Sequence, residues 1–191
     1  NMALISDVPG VPQGLCMDRY EASRADATAA EAGSNELYAV SRQGAVPWTN
    51  ISDTDAADQA CRGTAINDRP VNEGGIPGFT PEKRLCSEIE LRTACGGSDA
   101  LPYEGDTIIP GACNDATVGA DLATAGSFPS CCTEEGICDL AGNAGELVAS
   151  PGQGLFGGTT NDTDVRCSFT AGVSGVPSPS VGFRCCTHPV Q

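Results

Sequence analysis

The sequence predicts an α+β domain with few short helices, short antiparallel strands and long loops stapled by disulfides. Three observations lead there. Eleven cysteines are dispersed along 191 residues with no Cys-x-x-Cys pair, which favours disulfides and an oxidising compartment over a cytosolic metal site. Helix signals are confined to the first half of the chain. Beyond residue 97 turn residues recur every few positions, and only short apolar runs lie between them.

Taken in order, residues 1–15 read as an extended N-terminal leader containing Pro9 and Pro12, and residues 16–191 as a single domain. Residues 19–33 are alanine-rich and end at Gly33, so a first helix is expected there. Residues 52–62 open with a Ser-x-x-Asp cap and place Ala56, Ala60 and Cys61 on one face of a second helix. Residues 63–80, rich in Gly, Pro and Asn, form a loop. Ser87 followed by Glu90 makes a capping box for a third helix over 87–95, ended by Gly96-Gly97. The runs Ile137–Gly142, Gly145–Ser150 and Val181–Cys186 are the candidate strands of the second half.

The formal charge is −15, and Lys83 is the single lysine, so nucleic acid and anionic membrane surfaces are disfavoured as partners. No apolar stretch is long enough to span a membrane. One histidine, His188, cannot build a histidine-rich metal site, and a Ser-His-Asp triad would have to recruit this residue near the end of the sequence. A chain starting at Asn1 is compatible with a mature product whose targeting segment has been removed. Two Asn-x-Ser/Thr triplets begin at Asn50 and Asn161.

Five segments carry a family resemblance, in one order. Arg84–Gly97 resembles the "RLPTEAEWEYACRGG" helix of the formylglycine-generating enzyme, or sulfatase-modifying factor, family. Met17–Ser23 resembles its "IDRYEVSN". Leu101–Gly105 with Gly111–Asn114 resembles "YPYG…ACN". Asp139–Val148 resembles "DMVGNVWEWV", and Val181–Cys185 resembles "GFRC". The resemblance implies a C-type-lectin-like fold. It also implies calcium held by the side chains of Asp139 and Glu146 and the carbonyls of Gly142 and Ala144, hard oxygen donors around a small-residue turn. A second calcium site would start at Asn114 and the carbonyl of Asp115. Two disulfides are implied, Cys61–Cys185 and Cys95–Cys167. Spacing adds a bridge from Cys131 or Cys132 to Cys138, and Cys86–Cys113 and Cys16–Cys186 complete the expected set, with one cysteine left over.

The chain departs from the family where the family does its chemistry. The oxidising members hold copper on a cysteine pair in the segment matching Gly157–Cys167, which here has no cysteine before Cys167. Iron-dependent relatives need several histidines. The tryptophans of "GNVWEW" are replaced by Gly145 and Leu147. The expected function is therefore a non-catalytic, extracytoplasmic binding or assembly module with a protein partner. One alternative is an oxidoreductase of the same family with an unusual site using Cys131, Cys132 or the odd cysteine. The other is a purely structural subunit of an extracellular assembly.

Overall fold

The computed structural model describes residues 1–6, 9–10, 14–63, 83–97, 100–103, 105–119, 121–149, 154–171 and 177–188. Ten short strands and two helices are defined among them. One sheet has the order β1-β2-β10-β5, from Met2–Ile5, Leu15–Asp18, Cys185–Thr187 and Arg84–Leu85. A second sheet has the order β8-β7-β6-β9, from Phe169–Ala171, Gly154–Phe156, Gly145–Leu147 and Val181–Phe183. A two-stranded ribbon joins β3 (Ala22–Arg24) to β4 (Ala39–Ser41). The pairings are antiparallel except β6 with β9, which is parallel and departs from the all-antiparallel expectation. The chain leaves the edge of the second sheet at Phe183 and enters the interior of the first at Cys185, so Arg184 alone spans the junction.

The leader is part of the fold: β1 pairs with β2 along its whole length, and Ala3 and Ile5 enter the core. The helix expected over 19–33 does not form. Ala22–Arg24 pairs with Ala39–Ser41 instead. Asp26 then takes the backbone N–H groups of Ser34 and Asn35, and Thr28 takes those of Ala30 and Glu31. Short polar side chains thus capture donors that a helix would have used, outweighing alanine propensity. Helix α1 (Thr54–Arg62) is capped by Asp53, whose carboxylate accepts from Ala56 N–H at 2.8 Å, rather than by Ser52. Helix α2 (Glu88–Ala94) begins where expected, with Glu90 accepting from Ser87 N–H at 2.8 Å. The 137–142 run is a turn with an isolated bridge at Cys138 rather than a strand. The expected 63–80 loop lies outside the described residues beyond Gly63.

Two large apolar clusters and a small one of Cys113, Cys131, Ala141 and Val165 are found among the described residues. Leu15, Met17, Leu91, Ile137, Leu140 and Phe156 build the first, between β2, α2 and the 137–140 turn. Trp48, Ile51, Ala57, Ala60, Leu147, Val181 and Phe183 build the second, beneath α1. Five disulfides cross-link these regions: Cys61–Cys185, Cys86–Cys186, Cys95–Cys167, Cys113–Cys131 and Cys132–Cys138. Two expected pairings are corrected. Cys86 follows β5, which lies against β10, and its Cα is 5.0 Å from that of Cys186, so it bonds there and not to Cys113. Cys16 stands opposite Thr187 while Met17 stands opposite Cys186, so Cys16 points to the other face and remains a free thiol.

Candidate functional site

The turn at 139–144 is built from unusual backbone. Asp139 (φ 59°) and Asn143 (φ 57°) both adopt the left-handed conformation, uncommon away from glycine but accessible to short polar side chains. Gly142 sits so close to the 114 segment that a Cβ there would lie 2.7 Å from the Asn114 carbonyl. Asn143 N–H donates to that same carbonyl at 2.8 Å, and Asn114 Nδ2 donates to Asn143 Oδ1 at 2.8 Å. The chain therefore brings the two expected calcium segments, Asn114–Asp115 and Asp139–Glu146, against each other. Asp139, Gly142, Ala144, Glu146, Asn114 and Asp115 are all buried. The Asp115 carboxylate is occupied locally, accepting from Thr117 N–H at 2.8 Å.

Arg184 forms the centre of this region and is fully buried. Its Nε and Nη2 donate to one oxygen of Glu146, Oε1, at 2.8 and 2.7 Å. Nη1 donates to the Asp18 carbonyl at 2.8 Å and Nη2 to the Cys138 carbonyl at 2.7 Å. Glu21 closes the cluster from the loop after β2. Its two oxygens accept from Asn143 Nδ2 at 2.7 Å and from Ala144 N–H at 3.0 Å. Asp139 accepts from Gly126 N–H at 2.6 Å. Among the described residues, two buried oxygens of this cluster have no partner: Glu146 Oε2 and Asn114 Oδ1. A buried acceptor without a donor costs free energy, about 1–3 kcal/mol each.

Three buried carboxyl groups share one guanidinium, so all three can be ionised together only if two further positive charges are supplied. Burial pushes the Glu21 carboxyl well above its ordinary value, and the neighbouring Asp139 raises it further against the attraction of Arg184. Burial lifts Asp139 to about 6, offset in part by Gly126 N–H and Arg184. Glu146 is also raised by burial, against the pull of Arg184. Nearby, Asp18 is fully buried and has its own cation, Lys83, at 2.8 Å.

Glu21 and Arg184 were not expected as members of this cluster. A signal was present: an arginine inside the run Val181–Cys186, flanked by Phe and Cys, has no solvent-facing reason to be there. Among the described residues no three acidic, histidine or cysteine side chains converge as a metal-binding group. The segment matching the family's copper site is a loop after β7, and its single cysteine, Cys167, is bonded to Cys95. Cys131 and Cys132 are both in disulfides.

Ten solved chains match this fold, two of which illustrate it. The Treponema denticola variable protein 1 superposes with a TM-score of 0.60 at 15% identity, over 98% of this chain and 91% of that one. CarF superposes with a TM-score of 0.54 at 17% identity, over 93% of this chain and 87% of its own. The fold is shared. No protein-family model matches the chain, and no curated protein matches it in sequence.

Proposed function

We propose that this chain is a non-catalytic, extracytoplasmic binding or assembly module on a formylglycine-generating-enzyme-like, C-type-lectin-like scaffold, held together by disulfides and by calcium. The observation that carries the reading is the chemistry of the Gly157–Cys167 segment: it offers hydroxyl, amide and carboxylate oxygens, and its one sulfur is in a disulfide. A copper-thiolate oxidase needs two free thiolates at one point. Five disulfides support an oxidising compartment, and no helix among the described residues is long and apolar enough to cross a membrane.

The calcium part of the reading rests on charge and on the unpartnered oxygens. The cluster is short of two positive charges, which one divalent cation supplies. Glu146 Oε2 and Asn114 Oδ1 are hard acceptors without donors. Asp139 and Glu146 would hold the ion by carboxylate, and Gly142 and Ala144 by carbonyl. Calcium accepts backbone oxygens freely, so a cluster of three acidic side chains is not a requirement. Bound there, the ion would supply structural rigidity to the 139–146 turn.

The test of function is an assay with a sulfatase-type cysteine peptide, copper and oxygen. No aldehyde above background is expected. Turnover that survives metal controls would overturn the module reading in favour of an oxidase with an unusual site.

A further inference from the structure

Beside α1 the described surface opens into a pocket of about 380 Å³, away from the Arg184 cluster. Trp48, Ile51, Ala56 and Leu37 form its apolar side, and Asn50, Gln59 and Glu36 its polar side. The apolar floor is rigidly set. Trp48 packs edge-on to Phe183 at 5.7 Å, carries the Arg24 guanidinium over its ring at 4.7 Å, and donates its backbone N–H to the Ala22 carbonyl at 2.7 Å. Leu37 is a large apolar side chain 56% exposed at the rim.

The charges around the pocket are unbalanced. Glu36 touches Arg24 through one oxygen only, at 3.3 Å, and its side chain is 72% exposed. Asp55 is exposed one helical turn before Gln59, on the same side of α1. Asp53 caps the helix start beside the pocket residue Ser52. Among the described residues Glu36 is the one carboxylate that lines the pocket, with Asp53 and Asp55 beside it at the start of α1, on a chain whose formal charge is −15. An apolar slot rimmed by carboxylate and amide oxygens suits a side chain with an aliphatic stem and a cationic head.

We propose that this pocket docks a lysine or arginine side chain of a basic segment on a protein partner. The inference rests on the binding-module reading and names the chemistry of the partner. Trp48 is the sole tryptophan, so its fluorescence reports on the pocket directly.

The experiment titrates the disulfide-intact chain, made without glycans, with the acetylated, amidated peptide Gly-Lys-Arg-Gly. Parallel titrations use the same peptide carrying norleucine and citrulline, and n-butylamine alone. The expected result is a saturable Trp48 response to the basic peptide that weakens with added salt. The neutral peptide should bind at least tenfold more weakly, and Glu36→Gln should weaken the basic peptide about fivefold. Leu37→Ser, at an exposed rim position, should weaken it too, with unchanged melting behaviour showing that the fold is intact. No saturable response, equal affinity for the neutral peptide, or an unaltered affinity in Glu36→Gln overturns the proposal. Butylamine binding as tightly as the peptide overturns the protein partner in favour of a small amine. The aldehyde assay on the same preparation separates the two claims: aldehyde formation contradicts the module reading, whereas a silent peptide titration without aldehyde removes only the pocket.

Discussion

On α2 both carboxylates, Glu88 and Glu90, have a cation of their own, whereas around Arg184 three carboxyl groups share one. Glu90 is gripped by both terminal nitrogens of Arg84 and by Ser87 N–H, and Glu88 pairs with Arg92; on α1, Asp58 pairs likewise with Arg62. Burial pushes Glu90 up, but Arg84 and the Ser87 N–H outweigh it, and its carboxyl lies below its ordinary value. Glu21, Asp139 and Glu146 are the same kind of group, buried more completely, and all lie above theirs. The difference teaches that local charge stoichiometry, more than burial alone, decides whether a withdrawn carboxylate keeps its charge. The carboxylates of α2 are balanced as they stand. The Arg184 region calls for protons or a cation.

The largest expected effect breaks the central cluster outright. Arg184→Met leaves three buried carboxylates without a counter-charge and two carbonyls without their donors. Urea unfolding at neutral pH should show a loss of about 3–5 kcal/mol. A loss below about 1 kcal/mol would mean that the guanidinium is not the centre of the site.

The second effect is a pH slope in chelator. Asp139 binds its proton more tightly folded, at about 6, than unfolded, at 3.8. Its contribution is therefore fully present below the unfolded value and is lost as pH rises through the folded one. The difference in stability between wild type and Asp139→Asn should shift by on the order of 3 kcal/mol across that window, wild type losing ground as pH rises. Glu90 has the opposite sign: its contribution is present at neutral pH and is lost as pH falls through its lowered value. A wild-type curve parallel to Asp139→Asn at every pH would refute the contrast.

Glu90→Gln should cost less, about 1–2 kcal/mol, because it weakens a charged pair and a helix cap while the single charge it leaves, on Arg84, is partly exposed to solvent. The cost should appear equally with and without calcium. The smallest effect is at Cys16, the free thiol: Cys16→Ser should change stability by under about 0.5 kcal/mol. Non-reducing peptide mapping should recover Cys86 linked to Cys186 and Cys113 linked to Cys131.

Much of this contrast was legible in the residues. The capping box at Ser87 and Glu90 is a local signal, and local signals survive folding. The α+β class followed from where helix signals stop. Residues 19–33 misled because alanine propensity is weak, while Asp26 and Thr28 bind nearby backbone donors and Ala22–Arg24 finds a partner in the next strand, Ala39–Ser41. The fates of Cys86 and Cys16 depended on strand register, which spacing does not encode. Glu21 and Arg184 meet across 163 residues of sequence through a junction between sheets, visible only once β9 and β10 have separate partners. Segments 114–115 and 139–146 were marked as sites, but the cation already among them was not.

The most direct test of the central claim, that this buried cluster lacks positive charge and takes it from a divalent ion, is thermal unfolding at neutral pH in calcium and in chelator, for wild type and Asp139→Asn side by side. Wild type should gain roughly 2.7 kcal/mol at calcium 100-fold above its dissociation constant. Asp139→Asn should be at least as stable as wild type in chelator and gain nothing from calcium. Superimposable wild-type curves in calcium and in chelator, or an Asp139→Asn chain that loses the same stability in both, would contradict the account.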